Sequence, residues 1–310
     1  MNSVFIGTSA YGVPALKSLV EQGLAPKLVV CQPDRPAGRN LRPQPQAIAL
    51  AARELRLPLI TPENINSAES IARIQEIRPE LLITASYGGL LGKKLRLMAP
   101  WRAINLHPSL LPLYRGATPI QAALMHGDML TGTTIFRMIA TLDAGPMIIQ
   151  EELSILPNEN YGSLHDRLAD QAATMLLNLL SDPSAWRFTP QNDAQATFCQ
   201  KLVPADLEIN WEQPAQKVIN LIRALSPAPG AISYLNGTQI KIMEAELLPD
   251  LCTDGPGTVA DVIKNKGFTI NCQDHPILVK LIQAAGKKVL SAAAFINGAR
   301  ITAGQTLGKG

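Results

Sequence analysis

The strongest constraint on the fold is a pattern that repeats through the first 180 residues. Short, almost wholly apolar runs alternate with stretches of helical spacing. Ser3–Gly7, 28–31, Leu81–Ala85 and the shorter 103–106 are such runs, each bounded by turn residues. Over 11–22, Val13, Leu16, Leu19 and Val20 recur at the spacing of one helix face. A strand that is apolar on both faces must be covered on both, the situation of parallel strands in α/β sheets.

Strand, helix and strand in repetition therefore predict an α/β fold: a Rossmann-like, doubly wound, mostly parallel sheet with right-handed crossovers. Such sheets take ligands outside the carboxyl ends of their strands, so chemistry is to be sought in the loops that follow them. Residues 133–139 and 147–155 read as later strands, and 163–180 as a long helix with Leu164, Leu168, Ala172, Leu176 and Leu179 on one face. The pattern then breaks. Residues 181–205 are rich in Pro, Asp, Asn, Gln and Ser and read as a linker between a first domain, 1–180, and a second, 206–310. The second begins with a helical stretch, 215–225, and a Pro-Ala-Pro-Gly turn. It continues in short alternating runs at Ala231–Leu235, 239–245, 257–263, 267–272 and 277–284. That spacing predicts a C-terminal small β-barrel, OB-like in size.

Composition removes several function classes. With a net charge of +3, no global basic excess argues for nucleic acid, although a local one still can. Cys31, Cys199, Cys252 and Cys272 form no CxxC, so neither a zinc site nor a redox dithiol is signalled. The chain starts directly on a strand pattern without a basic leader, and no run of 18 uncharged apolar residues occurs. The expectation is a cytoplasmic protein without metal or membrane span.

Asn105 and His107 stand two apart at the end of a predicted buried strand, so both side chains point to one side while Leu106 points to the core. Pro108 then turns the chain. An amide donor and an imidazole at a strand's carboxyl end suit a reaction that builds negative charge on oxygen, where a preorganised donor supplies on the order of 3 kcal/mol. Alone, an Asn-x-His is more often a capping Asn and a His satisfied by backbone.

The residues that follow change that balance. Ser109-Leu110-Leu111-Pro112-Leu113-Tyr114-Arg115-Gly116-Ala117-Thr118-Pro119-Ile120 resembles the signature of the 10-formyltetrahydrofolate-dependent formyltransferases. Leu142-Asp143-Ala144-Gly145-Pro146-Met147 resembles that family's second catalytic segment, in the same order and spacing. The resemblance implies that Asn105 holds the formyl oxygen, His107 stabilises the oxyanion, and Asp143 sets the protonation of His107 and helps move the amine's proton. An Asp beside a His favours the imidazolium. The resemblance also implies that folate lies against Ser109, Leu110, Leu111 and Pro112, and against a loop carrying Tyr87, Gly88 and Leu90. Backbone groups would bond the flat ring there and leucines would pack on it. Without the resemblance, Asp143 reads as a turn residue and Leu90 as core.

The acceptor amine needs its own signal. Pro33-Asp34-Arg35-Pro36-Ala37-Gly38-Arg39 resembles a loop of the family branch that formylates methionyl-tRNA, which implies initiator methionyl-tRNA as partner; a monomer is expected. The family continues with Gly and two lysines. This chain has Asn40-Leu41-Arg42-Pro43, so Arg42 alone brings charge there. The resemblance runs on through 224–230 and Gly286-Lys287-Lys288. Between Val262 and Gly310 there are seven basic residues and one acidic, a composition suited to an RNA backbone. Arg35, Arg39, Arg42, Lys287 and Lys288 are the candidate tRNA contacts. A charge run is also what a plain solvated face looks like. The rival readings are the same transfer to an amino sugar nucleotide, hydrolysis of 10-formyltetrahydrofolate, and a non-catalytic RNA-binding protein. A nicotinamide oxidoreductase is weakened because Gly7-Thr8-Ser9-Ala10-Tyr11-Gly12 lacks the GxGxxG fingerprint.

Overall fold

The computed structural model describes residues 1–37, 42–252 and 254–308, with the backbone alone at 36, 37 and 42. Its contacts divide the chain into two units. The first holds Met1–Pro119, Leu130–Ser154 and His165–Cys199, and the second Ile120–Met129, Ile155–Leu164 and Gln200–Gly310.

In chain order the first unit contains β1 (Ser3–Gly7), α1 (Val13–Glu21), β2 (Leu28–Val30), β3 (Arg35–Ala37), β4 (Arg42–Gln44), α2 (Ala47–Glu54), β5 (Leu59–Ile60) and α3 (Ala68–Glu76). There follow β6 (Leu81–Ala85), α4 (Lys93–Met98), β7 (Ala103–His107), β8 (Arg115–Gly116), β9 (Leu130–Arg137), β10 (Met147–Ser154) and β11 (Phe198–Cys199). The helices α5 (Pro119–His126) and α6 (Tyr161–Ser181) each run from one unit's residues into the other's.

Seven strands form one sheet in the order β10-β9-β7-β6-β1-β2-β5. The pairs among β7, β6, β1, β2 and β5 are parallel, and β9 and β10 join antiparallel. The order reverses beside β1, which carries β2 on one side and β6 on the other. β1 and β6 are buried at every residue, as their unbroken apolar runs require. Two glycines let the loop after β1 close against β6. A Cβ on Gly7 would lie 2.9 Å from the Ala85 carbonyl oxygen, and one on Gly12 3.0 Å from Ala85 Cβ. Thr8 donates from Oγ1 to the Tyr87 carbonyl at 2.9 Å and ties the two loops together.

The expected linker is more closely bound into the fold than its composition suggests. Residues up to Cys199 group with the first unit, where β11 pairs parallel with β8, Phe198 to Arg115 and Cys199 to Gly116. Glycine at 116 is required by φ of +125° and by Cys199, whose carbonyl oxygen would lie 2.0 Å from an added Cβ.

The second unit carries α7 (Ala215–Ala224), β12 (Ala231–Leu235), β13 (Thr238–Leu247), β14 (Val259–Ile263), β15 (Gly267–Asn271), β16 (Pro276–Ala284), β17 (Val289–Ser291) and α8 (Ala292–Ala299). Its sheet is antiparallel, ordered β12-β13-β16-β15-β14, with β17 on β16. The chain end closes it: Leu307 bridges Leu235 on one edge and Thr306 bridges Thr258 beside the other. Inside lie Ile240, Ile242, Val259, Phe268, Ile270, Val279 and Ile282, with Trp211 and the inner face of α7. Among the described residues no helix is long and apolar enough to cross a membrane.

Candidate active site

β7 delivers two polar side chains to one side of the sheet's carboxyl edge. Asn105 lies directly opposite Thr84 across the parallel β6–β7 ladder, so the two side chains share a face. The Thr84 hydroxyl bonds Asn105 Oδ1 at 2.7 Å and the Ile104 carbonyl at 2.8 Å. The Thr84 hydroxyl has one proton to share between these two oxygens, and its contact anchors the Asn105 amide against β6.

His107 ends the strand and is 4% exposed. Its Nε2 lies 3.0 Å from the Tyr114 carbonyl oxygen. A carbonyl only accepts, so Nε2 carries a proton and the exchangeable position of the ring is Nδ1. That atom is 3.9 Å from Asp143 Oδ2. The ring meets Phe136 edge-on, with centroids 6.3 Å apart, and Phe136 closes off water from that flank.

Asp143 reaches this position from the loop between β9 and β10, at φ of +48°, a conformation uncommon for a residue with a Cβ. Gly116 donates its N–H to Asp143 Oδ2 at 2.9 Å. Two residues on, Gly145 lies so close to β9 that an added Cβ would stand 1.7 Å from the Arg137 carbonyl oxygen. The Gln191 amide donates from Nε2 to the carbonyls of Asp143 and Gly145, at 2.7 Å each. Gln191 Oε1 in turn accepts from Arg115 Nε at 3.0 Å and from its terminal nitrogen at 2.8 Å, and Asp193 pairs with that guanidinium at 2.6 Å.

Asp143 Oδ2 and His107 Nδ1 are thus brought within 3.9 Å of one another, and Asn105 stands two residues before His107 on the same strand. Thr84, Arg115, Gln191 and Asp193 carried no signal of a place in the site. Arg115 was visible only as a letter in a motif, and Gln191 and Asp193 stood in the expected linker.

The residues expected to meet folate divide into buried and exposed. Ser109 is fully buried and donates from Oγ to the Leu113 carbonyl at 2.6 Å. Thr134 Oγ1 donates to the Ser109 carbonyl at 2.7 Å and accepts the Leu111 N–H at 3.1 Å, while Gln150 Nε2 donates to the Leu111 carbonyl at 2.9 Å. The fold itself therefore uses much of this segment's backbone, and the partly exposed Leu110 and Pro112 offer it a surface. Tyr87 differs from expectation: it is 7% exposed, its ring is in the core cluster with Ile6 and Leu82, and burial pushes its hydroxyl up. Gly88, at φ of +77°, is exposed, and Leu90 is 77% exposed. Cys199 Sγ lies 3.5 Å from the Tyr114 carbonyl that His107 also uses. Burial, with the Asp143 charge nearby, raises its thiol and keeps it neutral.

Of the candidate tRNA contacts, Arg35 makes an exposed pair with Glu63 at 3.4 Å. Arg39 lies outside the described residues. Arg42 is placed by its backbone, in β4 opposite Ala37 of β3. Lys287 and Lys288 are exposed in the turn between β16 and β17. Among the described residues no group of three or more His, Cys, Asp or Glu side chains could hold a metal.

Comparison with known proteins bears on this geometry. The family model for formyl transferase matches residues 1–180, and that for the formyl transferase C-terminal domain matches 201–300. A methionyl-tRNA formyltransferase of Moorella thermoacetica is 37% identical over 310 residues, covering 99% of both chains. One of Staphylococcus aureus is 36% identical over 303 residues and 96% of both. Solved structures share the fold at lower identity. An N-formyltransferase from Helicobacter canadensis, in complex with folinic acid and dTDP-3-aminofucose, matches at TM-score 0.66 and 16% identity over 92% of this chain and 99% of its own. A methionyl-tRNA formyltransferase from Clostridium thermocellum matches at TM-score 0.57 and 16% identity, covering 88% and 98%.

Proposed function

The chain belongs to the formyl transferase family, and we propose that it moves the formyl group of 10-formyltetrahydrofolate to the free α-amine of initiator methionyl-tRNA. The products are N-formylmethionyl-tRNA, for translation initiation, and tetrahydrofolate. The observation that carries the chemistry is the approach of Asp143 Oδ2 to His107 Nδ1 beside Asn105. The choice of acceptor is supported by relatives of that name matched along almost the full chain.

The amine attacks the formyl carbon, a C–N bond forms, and the carbonyl π pair moves onto oxygen. Asn105 Nδ2 donates to that oxygen, and the imidazolium of His107, protonated at Nδ1, offsets its charge. Asp143 faces the cation and receives the proton that the amine loses. The C–N10 bond then breaks and N10 takes a proton, so the net transfer runs from the amine to the leaving nitrogen. His107 and Asp143 are the groups that relay it.

Folate lies against Leu110, Pro112, Gly88 and Leu90, with Ser109, Leu111 and Tyr87 shaping the site from beneath. The chemistry belongs to the first domain, whose residues run on to Cys199, with 200–205 as connector. Residues 206–310 bind the RNA backbone through Lys287 and Lys288, while Arg35, Arg39 and Arg42 meet it from the loop after β2. The protein acts as a monomer in the cytoplasm.

The test supplies 10-formyltetrahydrofolate with charged initiator tRNA, with an amino sugar nucleotide, or with no acceptor, and follows formyl transfer and folate release. Transfer to methionyl-tRNA with the other two reactions at least a hundredfold slower is expected. Faster transfer to the sugar amine, or release of folate without an acceptor at the same rate, would overturn the assignment of the acceptor.

A further inference from the structure

Gln191 touches none of the reacting groups, yet its Nε2 is committed to the loop that carries one of them and its Oε1 to Arg115. Arginine only donates, so the atom beside Arg115 Nε and its terminal nitrogen must be Oε1. The amide orientation is thereby fixed. Both Nε2 hydrogens then face the carbonyls of Asp143 and Gly145, and both are used.

We propose that Gln191, oriented by Arg115, is a positioning residue that aims the Asp143 carboxylate at His107. The inference rests on the formyl-transfer reading above and assigns the residue that makes its geometry rigid. Asp143 holds a left-handed backbone conformation, which an Asp tolerates better than most residues but which its surroundings must still hold in place for the carboxylate to be aimed. Gln191 imposes it by bonding the carbonyls on both sides of Ala144. Relaxation toward β9 is blocked, because Gly145 already lies against the Arg137 carbonyl.

The other end of the clamp is equally fixed. Arg115 is 3% exposed, and Asp193 compensates its charge. Arg115 also sits between the two residues whose backbones complete the site: the Tyr114 carbonyl accepts a hydrogen bond from His107 Nε2–H, and the Gly116 N–H donates to Asp143 Oδ2. One buried side chain and its own flanking peptides therefore set the imidazole, the carboxylate and, through Gln191, the carboxylate's backbone. A shift of about 1 Å in such a constellation changes turnover by on the order of a hundredfold.

The experiment compares wild type, Gln191→Met, Asp143→Asn and the double variant, reading kcat, both KM values and the melting temperature. Gln191→Met, similar in length but without donors, is expected to lower kcat between about tenfold and a hundredfold while both KM values stay within about twofold. In the Asp143→Asn background the same change is expected to have almost no effect, because Gln191 acts only through that carboxylate. An unchanged kcat, a loss confined to KM, or effects that multiply in the double variant would overturn the proposal. Gln191→Asn, which keeps the amide but shortens its reach, gives the same reading if Gln191→Met does not fold. Crystal structures of wild type and variant separate this idea from the choice of reaction. Should the wild type formylate no acceptor, the reading of function fails, and the clamp is still decided by whether Asp143 Oδ2 leaves the Gly116 N–H.

Discussion

Thr84 stands directly opposite Asn105 across two parallel strands, and its hydroxyl lies 2.7 Å from Asn105 Oδ1. The contact anchors the Asn105 amide against β6, on the face of β7 that Asn105 shares with His107. Thr84→Val keeps the branched shape that a buried strand favours and removes the hydroxyl's bonds to Asn105 Oδ1 and the Ile104 carbonyl. The expected result is a kcat lower by on the order of tenfold, with a stability loss of about 1 kcal/mol for the hydrogen bonds given up. Steady-state kinetics beside a denaturant melt check both numbers. A kcat equal to wild type would mean that Asn105 holds its orientation unaided.

Asp143 does two jobs with one oxygen: it accepts the Gly116 N–H and faces His107 Nδ1. Asp143→Asn keeps an acceptor for Gly116 and removes the charge. Turnover is expected to fall by roughly a hundredfold or more, the range for losing a positioned acid–base group, and His107→Ala by a similar factor. Neither residue meets RNA in the proposed arrangement, so methionyl-tRNA affinity, read by filter binding, should stay within about twofold. A parallel loss of affinity would show that these side chains hold the acceptor rather than act on the formyl carbon.

Gly145 permits the close approach of the Asp143 loop to β9, and its replacement tests how far the loop depends on that contact. Gly145→Ala would put a methyl 1.7 Å from the Arg137 carbonyl oxygen, so backbone must move. A destabilisation of about 3 kcal/mol is expected from such overpacking, together with a loss of turnover as Asp143 moves away. Retained stability and activity would contradict the close contact.

Asn105 and His107 were legible because the apolar run before them marks a strand end, and a spacing of two puts both on one side. Asp143 was legible only through its neighbours, since Asp-Ala-Gly is ordinary turn chemistry. Gln191 and Thr84 were not legible, for opposite reasons. Gln191 sits among Pro, Asp and Asn, where a side chain bonding carbonyls looks the same as one facing water. Thr84 sits within an apolar strand, where β-branching already accounts for it. The same limit applies to the fold. Unbroken apolar runs announced β1 and β6, but apolar content does not report direction, and only pairing shows β9 and β10 to run antiparallel. Helices α2, α3 and α8 escaped because each spans two or three turns, too few for periodicity to stand out.

The basic residues after β2 predict an effect on RNA alone. Arg39→Ala is expected to raise KM for methionyl-tRNA by about tenfold, the weight of one good phosphate contact, and to leave KM for folate unchanged. Wild-type affinity should fall linearly as log salt rises, and the variant's slope should be shallower by roughly one. Equal losses for the two substrates would place Arg39 in the folate site instead.

Asp274 ties α7 to the antiparallel sheet and makes that tie dependent on pH. The helix begins after Pro214, which has no side chain to cap it, and Asp274 Oδ1 accepts the Ala215 N–H at 2.8 Å. That bond is the main reason the carboxyl is held below its ordinary value, with slight desolvation opposing it and the His275 N–H adding to it. A depressed folded-state value stabilises the fold above the unfolded-state value, about 3.9, and the contribution is lost as pH falls through the folded-state value. Asp274→Ala should therefore melt below wild type near pH 7, and the two melting temperatures should converge as pH is lowered past about 4. Melts taken in steps from pH 7 to pH 3 decide the matter, because a gap that stays constant would mean that the carboxylate charge adds nothing to the cap.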